Sequence, residues 1–168
     1  ACNQLVRPAT MLVPKVTLHD VFIGARTLDE ALTEVSGGFT VLLAGSGLVE
    51  YSRLTPEVRD KLVETIEAVA PRFDHVLLDT GAGISDVVLY TVSLADAVLM
   101  VATPEPTSMT DAYATIKVLA STQRRRTIQL VVNQKIPGSD GRAVRAQLQQ
   151  VIDRYVSPGL EAPVTLEL

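Results

Sequence analysis

The stretch Asp74–Asp86, DHVLLDTGAGISD, places a carboxylate and a glycine loop directly after an apolar run. Asp79 ends the run, and Gly81–Gly83 follow before a helix predicted to start near Ser85. A carboxylate at the carboxyl end of a strand can hold a hydrated Mg²⁺ or orient a water molecule. Glycines beyond it let backbone N–H groups approach a phosphate, and a helix N-terminus favours an anion. A plain turn, capped by Asp79 and tightened by the glycines, is an equally good interpretation of the spacing.

Polar groups also follow three other predicted strands, at Gly45-Ser46-Gly47, Thr103–Pro106 and Asn133-Gln134. In open α/β sheets, ligands bind beyond the carboxyl ends of the strands. The amide of Asn133 could pair with the edge of a base, although an asparagine in a turn is the commoner case.

The segment TPEPTSMTD holds Glu105 between two prolines at a strand exit. Ser108 and Asp111 have the spacing of a helix capping box, with Asp at the position where Glu or Gln is usual. Capping does not account for Glu105, and a carboxylate fixed at this edge could contact a ligand or a facing subunit.

The elements that must position these residues alternate between helix and strand from about residue 27. Apolar spacing and caps predict helices at 27–35, 55–71, 85–94, 108–120 and 141–156. Apolar runs predict strands at 39–45, 75–79, 97–102 and 128–133, and the final APVTLEL reads as the start of another. The prediction is a single α/β domain over residues 1–168, with a doubly wound, mostly parallel sheet covered on both faces. Both ends look incomplete for such a sheet.

Composition narrows the class of protein. The net charge of −4 argues against direct binding of nucleic acid, and no apolar run is long enough for a membrane span, so a cytoplasmic location is predicted. Cys2 is the only cysteine and can form no internal disulfide. The cluster Arg124–Arg126 is interpreted as a solvated turn, with an acidic partner as the alternative. The sequence contains no G-x-x-x-x-G-K-[ST] phosphate loop.

The combination DHVLLDTGAGIS, ADAVLMVATPEPTSMTDAYATIKVL and LVVNQ resembles the MinD/ParA superfamily of deviant P-loop ATPases. Thr80 and Gly81, where cell-division members have Ser-Pro, favour the flagellar-number (FlhG/FleN-like) branch. TLHDVF and GGFTVLLAGSG, at Thr17–Phe22 and Gly37–Gly47, resemble the family's middle region. The resemblance extends from about Thr17 to Gln134.

The resemblance implies a role for each matching residue. Asp79 would be the catalytic Walker B carboxylate, acting on Mg²⁺ through water, and Gly81, Ala82 and Gly83 would sense the γ-phosphate of ATP. Asn133 would lie beside the adenine. Glu105 and Asp111 would lie near the face where two subunits enclose two nucleotides.

At the level of the whole protein, the resemblance implies a nucleotide switch that controls flagellar number or placement. The expected partners are a second copy in an ATP-dependent homodimer and a flagellar GTPase or transcription activator. A C-terminal amphipathic helix, not found in this sequence, would bring the protein to the inner membrane.

Other interpretations stay open because the family's phosphate loop would precede the matched region. The chain is either part of a working ATPase or a non-catalytic pseudo-ATPase binding module, so whether it hydrolyses ATP itself is undecided. A septum-site or plasmid-partition ATPase is a neighbouring hypothesis. Residues 1–11 match nothing in the family.

Overall fold

The computed structural model describes residues 15–44, 55–134 and 141–168. The segment 1–11 and the predicted loop Gly45–Gly47 lie outside these ranges. Contacts between Cα atoms divide the chain into two compact units, unit 1 (Ala1–Val76) and unit 2 (Leu77–Leu168), and each is described by itself. The single-domain organisation of residues 1–168 stays a prediction.

Unit 1 consists of short helices, one hairpin and one long helix. Its elements are α1 (Leu18–Phe22), α2 (Leu28–Ala31), β1 (Leu32–Val35), β2 (Phe39–Leu42) and α3 (Pro56–Val69). Thr27 caps α2: its hydroxyl accepts from the Glu30 N–H at 3.3 Å, and the Glu30 carboxylate accepts from the Thr27 N–H at 2.8 Å. This reciprocal pair satisfies donors that a helix start otherwise leaves without partners.

The hairpin of unit 1 corrects two sequence predictions. The helix predicted at 27–35 ends at Ala31, and Leu32–Val35 pair antiparallel with Phe39–Leu42. The strand predicted at 39–45 therefore belongs to a two-stranded antiparallel sheet, not to the parallel one. Gly37 and Gly38, with φ of 113° and 81°, make the reversal that brings the β-branched residues of the two segments together.

Helix α3 confirms its sequence signals. The Thr55 hydroxyl accepts from the Val58 N–H at 3.4 Å, Pro56 is the first helical residue, and a 3₁₀ turn at Ala70–Arg72 follows the last one. An ion pair of 2.8 Å joins Arg72 to Asp29 of α2, and the Lys61 ammonium donates to the carbonyl of Phe22 at the end of α1.

Unit 2 is an α/β unit with a parallel sheet, which confirms the predicted fold class. Its elements are α4 (Asp86–Ser93), β3 (Leu99–Ala102), α5 (Pro106–Thr122), β4 (Thr127–Val132), α6 (Gly141–Tyr155) and β5 (Thr165–Glu167). The three strands lie in the order β3-β4-β5, all parallel. The strand expected near the end of the sequence is β5.

The core of unit 2 lies on one face of this sheet. Ile128 and Leu130 of β4 are buried there against α5 and α6, with Ile116 and Ile152 fully enclosed. The strands β3, β4 and β5 follow one another both in the sequence and in the sheet. Right-handed crossovers between them therefore place α5 and α6 on the same side.

The other face of the sheet differs from the expectation of strands buried on both sides. On this face the side chains of Leu99, Val101 and Val131 are 52%, 59% and 45% exposed.

The strand predicted at residues 75–79 is not part of either sheet in the described structure. Leu77, in the middle of this run, is 81% exposed. An apolar segment becomes a strand only when a neighbour offers its backbone groups for pairing, and sequence pattern alone does not supply that neighbour. Within the described part of the chain, no helix combines the length and apolarity needed to cross a bilayer.

Candidate functional site

The carboxyl ends of β3 and β4 bring two predicted site segments together. Ala102 and Val132 are paired in the ladder, and the Asn133 N–H donates to the Ala102 carbonyl at 2.8 Å. The loop Thr103–Glu105 and Asn133 therefore leave the sheet side by side at its carboxyl edge. This is the edge where parallel α/β sheets bind ligands.

The loop after β3 is held by Ser108. The Ser108 hydroxyl accepts from the Thr103 N–H at 2.9 Å, and the Thr103 hydroxyl accepts from the Glu105 N–H at 3.4 Å. The predicted capping box of Ser108 and Asp111 is therefore wrong: α5 begins at Pro106, and Ser108 reaches back to the loop instead. A proline is well suited to the first helical position, because its missing N–H would have no partner there.

Glu105 and Asp111 both present exposed carboxylates. Glu105 is the N-cap residue of α5, but its side chain makes no capping hydrogen bond. Asp111 lies further along the same helix, and its backbone carbonyl accepts from the Thr115 hydroxyl. Within the described residues neither carboxylate forms an ion pair. Both are free to meet a charge supplied by a ligand or another subunit.

Asp79 is exposed, and its carboxylate has no hydrogen-bond or ion-pair partner among the described residues. The turn-capping interpretation of Asp79 finds no support in this geometry. Helix α4 starts at Asp86, where the Ser85 hydroxyl accepts from the Val88 N–H at 3.4 Å, as its sequence predicted. No hydrogen bond between described residues joins Asp79 to the Thr103 loop or to Asn133.

The two glycines of the 81–83 loop differ in conformation. Gly83 has φ of 99°, which side-chain-bearing residues rarely adopt, whereas Gly81 lies outside that region. A Cβ built on either residue would meet no atom within 4 Å. The loop backbone is therefore open to an approaching group, which suits contact with a phosphate.

Asp79 is the one predicted metal ligand, and it could hold Mg²⁺ only if water and phosphate supply the other ligands. Among the described residues, no three His, Cys, Asp or Glu side chains gather into a metal site. Mg²⁺ bound with a nucleotide commonly takes only one or two protein carboxylates and keeps several waters. An exposed, unpaired Asp79 suits that arrangement.

The two ends of the Asn133 side-chain amide differ in their contacts. Its Oδ1 accepts from the Gln134 N–H at 2.8 Å, and Gln134 has a left-handed φ of 50°. The interpretation of Asn133 as a turn residue is therefore correct for the oxygen. Among the described residues, the amide NH₂ donates to no acceptor and so could donate to a base.

Two sets of side-chain hydrogen bonds at the ends of helices and strands were not predicted from the sequence. One is the link from Ser108 to Thr103. The other is the role of Arg125, whose guanidinium donates to the carbonyls of Val92, Ala95 and Asp96 at the end of α4. A cation near a helix C-terminus is a general signal, but here the arginine comes from a distant element.

No protein-family profile matches the chain. Among curated proteins, the chain is 35% identical over 150 residues to the antiactivator FleN of Pseudomonas aeruginosa, covering 89% of the chain and 54% of FleN. It is 35% identical over 120 residues to an uncharacterised ATP-binding protein of Methanocaldococcus jannaschii, covering 70% and 43%. It is 31% identical over 136 residues to the flagellum site-determining protein YlxH of Helicobacter pylori, covering 80% and 45%.

Among solved structures, the chain is similar to the MinC:MinD cell division protein complex of Aquifex aeolicus. The TM-score is 0.61 at 25% identity, covering 89% of this chain and 56% of the other. The chain spans about half the length of the curated relatives it matches.

Proposed function

The chain belongs to the MinD/ParA superfamily of P-loop ATPases, and we propose that the whole protein is a nucleotide-switched ATPase that regulates the number or placement of flagella. The observation that carries this proposal is the 35% identity to FleN across 89% of the chain. The similarity to YlxH points to the same process. The matched region spans about half of either relative, so activity and partners are proposed for the whole protein.

The site residues predicted from the sequence have separate tasks in this proposal. ATP with Mg²⁺ would supply a transferable γ-phosphoryl group to the site. Asp79 would hold the metal through water, and the backbone of Gly81, Ala82 and Gly83 would contact the phosphate. Asn133 would bind the adenine through the amide NH₂ that its turn leaves free.

The switch would act through association. Glu105 and Asp111, both exposed, would lie at the face of an ATP-dependent homodimer. The further partner would be a flagellar GTPase or a flagellar transcription activator. The protein would work in the cytoplasm or at the surface of the inner membrane.

Replacement of Asp79 tests the chemistry of the proposal. In the full-length protein, we expect Asp79→Asn to lower ATP hydrolysis by about 10²-fold, the scale of losing one electrostatic stabiliser of a transition state. Because Asp79 is exposed and unpaired within the described structure, the thermal midpoint should stay unchanged. Asp74→Asn, which removes an exposed carboxylate close to Asp79 in the sequence, serves as the matched control and should keep full activity.

A second measurement in cells tests the biological role. Deletion of the gene should change the number or position of flagella, the wild-type gene should restore both, and the Asp79→Asn gene should not. Flagella that are unaffected by the deletion would contradict the flagellar role and favour a septum-site or partition ATPase. Full function of the Asp79→Asn gene, without ATP hydrolysis by the wild type, would favour a non-catalytic binding module.

A further inference from the structure

A cleft at the amino edge of the unit 2 sheet gathers three arginines. This amino-edge cleft is lined by Ser93, Asp96 and Gln123–Thr127 and has a volume of about 590 Å³. The cleft is shallow and open to solvent. Its residues lie between the end of α4 and β3 or between the end of α5 and the first residue of β4, whereas Thr103 and Asn133 follow those strands. The six residues of β4 separate the two edges by about 20 Å at the usual rise per residue.

Two of the three arginines are committed to the fold. Arg125 donates to three carbonyls at the end of α4, those of Asp96 at 3.0 Å, Val92 at 3.1 Å and Ala95. Arg126 donates through Nη1 to the Ala120 carbonyl of α5 at 2.8 Å. Both side chains are half-buried and satisfy carbonyls that a helix end leaves open. They form the positively charged walls of the cleft.

Arg124 is different. Its side chain is exposed, and its guanidinium has no hydrogen-bond or ion-pair partner among the described residues. Its backbone has a left-handed φ of 54°, and the next N–H, from Arg125, returns to the Leu119 carbonyl at 3.3 Å. The end of α5 thus fixes the backbone position of Arg124. The five N–H donors of its guanidinium make no hydrogen bond to a described residue.

We propose that the amino-edge cleft binds an acidic segment of a partner protein, with Arg124 as its main cation. A guanidinium pairs well with a carboxylate, to which it can donate two parallel hydrogen bonds. The Asp96 carboxylate also lines the cleft without an ion pair in the described structure, and it can accept a peptide N–H.

The charges of the cleft favour a peptide over a polyanionic surface. Asp96 would repel a dense array of phosphates, whereas a peptide with spaced carboxylates also brings backbone N–H groups that can donate to the Asp96 carboxylate. A peptide with carboxylate side chains and backbone N–H groups can pair with both the Arg124 guanidinium and the Asp96 carboxylate. This inference goes beyond the nucleotide switch, because it concerns the opposite edge of the sheet.

Binding of a defined peptide tests the proposal. The probe is a fluorescein-labelled decapeptide of alternating glutamate and glycine, titrated with the purified full-length protein and followed by fluorescence anisotropy. We expect saturable binding that weakens as salt is added. Arg124→Gly should weaken it about tenfold, the scale of losing one charge-assisted hydrogen bond, and should fold normally because glycine accepts the left-handed φ.

Arg154→Gln, on the exposed side of α6, removes the same charge elsewhere and is the matched control. An equal loss in both variants would overturn the proposal, because it would show attraction to net charge alone. Absence of saturable binding by the wild-type chain would also overturn it. So would tighter binding of phosphatidylglycerol vesicles or of inorganic phosphate than of the peptide. Binding that is lost only in Arg124→Gly, with the thermal midpoint unchanged, would support it.

Discussion

Gly81 and Gly83 lie two residues apart, yet substitution should affect them differently. At φ of 99° an added Cβ strains the backbone of Gly83, whereas Gly81 has no such constraint and no neighbour within 4 Å. We expect Gly83→Ala to lower the free energy of unfolding by about 1–3 kcal/mol and Gly81→Ala to leave it nearly unchanged. Chemical denaturation of the two variants checks this. Equal stability of both variants would contradict the assigned backbone conformation.

The two glycine variants also distinguish an effect on stability from an effect on nucleotide contact. If the Gly81 backbone approaches a phosphate, Gly81→Ala should lower ATP hydrolysis by the full-length protein while its stability is kept. Unchanged hydrolysis would remove Gly81 from the proposed switch.

The arginine triplet shows why residue roles escape prediction from sequence. Of three identical neighbours, Arg124 has no hydrogen-bond or ion-pair partner among the described residues, while Arg125 and Arg126 donate to helix-end carbonyls. The sequence interpretation of Arg124–Arg126 as a solvated turn holds only for the first of them. The difference depends on where the end of α4 lies, about 30 residues earlier in the chain.

Stability measurements check this division of roles. We expect Arg125→Ala to lower the free energy of unfolding by about 2 kcal/mol or more, because the carbonyls of the half-buried Val92 and Ala95 lose a charged donor. Arg124→Ala should change the free energy of unfolding only slightly. Differential scanning calorimetry of both variants gives the comparison, and a larger loss for Arg124→Ala would reverse the assignment.

At the scale of elements, the Thr27–Glu30 capping pair makes a pH-dependent contribution to unit 1. The Thr27 N–H, and then the Thr27 hydroxyl, donate to the Glu30 carboxylate and lower its pKa below the ordinary 4.5. A lowered pKa in the folded state means that the stabilisation is present above pH 4.5 and is lost as the pH falls through the folded pKa.

NMR titration of the Glu30 carboxyl group tests this prediction. In Thr27→Ala the hydroxyl donor is absent, so the pKa of Glu30 should rise toward 4.5. The pKa of Glu57, which the Thr55 hydroxyl lowers in the same way at α3, should stay where it is and serves as the internal control. A Glu30 pKa that does not respond to Thr27→Ala would show that the hydroxyl has no part in the cap.

The helices and strands also show which sequence signals were sufficient to predict secondary structure. Helix α3 followed from Thr55, Pro56 and its apolar spacing, because these signals are local. The β1–β2 hairpin was missed because, in the helix predicted at 27–35, residues 32–35 pair across Gly37 and Gly38 instead of continuing α2. Residues 75–79 were predicted as a strand from apolarity, but pairing depends on a neighbour that the pattern does not name.

The whole-molecule prediction concerns association. Glu105 and Asp111 are exposed and lack ion-pair partners within the described structure. Glu105 is the N-cap residue of α5 at the carboxyl edge, and Asp111 lies in the first half of that helix. If two subunits meet there around nucleotide, a reversed charge should oppose association more than a neutral residue does. For the full-length protein with ATP, we expect a dimer in sedimentation velocity, a weaker one for Asp111→Asn and the weakest for Asp111→Lys.

The control reverses a charge on the same helix farther from that edge. Lys117→Glu changes an exposed residue in the second half of α5, so ATP should still produce a dimer in this variant. Equal loss of dimer in Asp111→Lys and Lys117→Glu would indicate a general effect of charge on the helix. A dimer that forms equally with and without ATP would separate association from the nucleotide, because a ligand shifts an equilibrium only through unequal affinity for its two states.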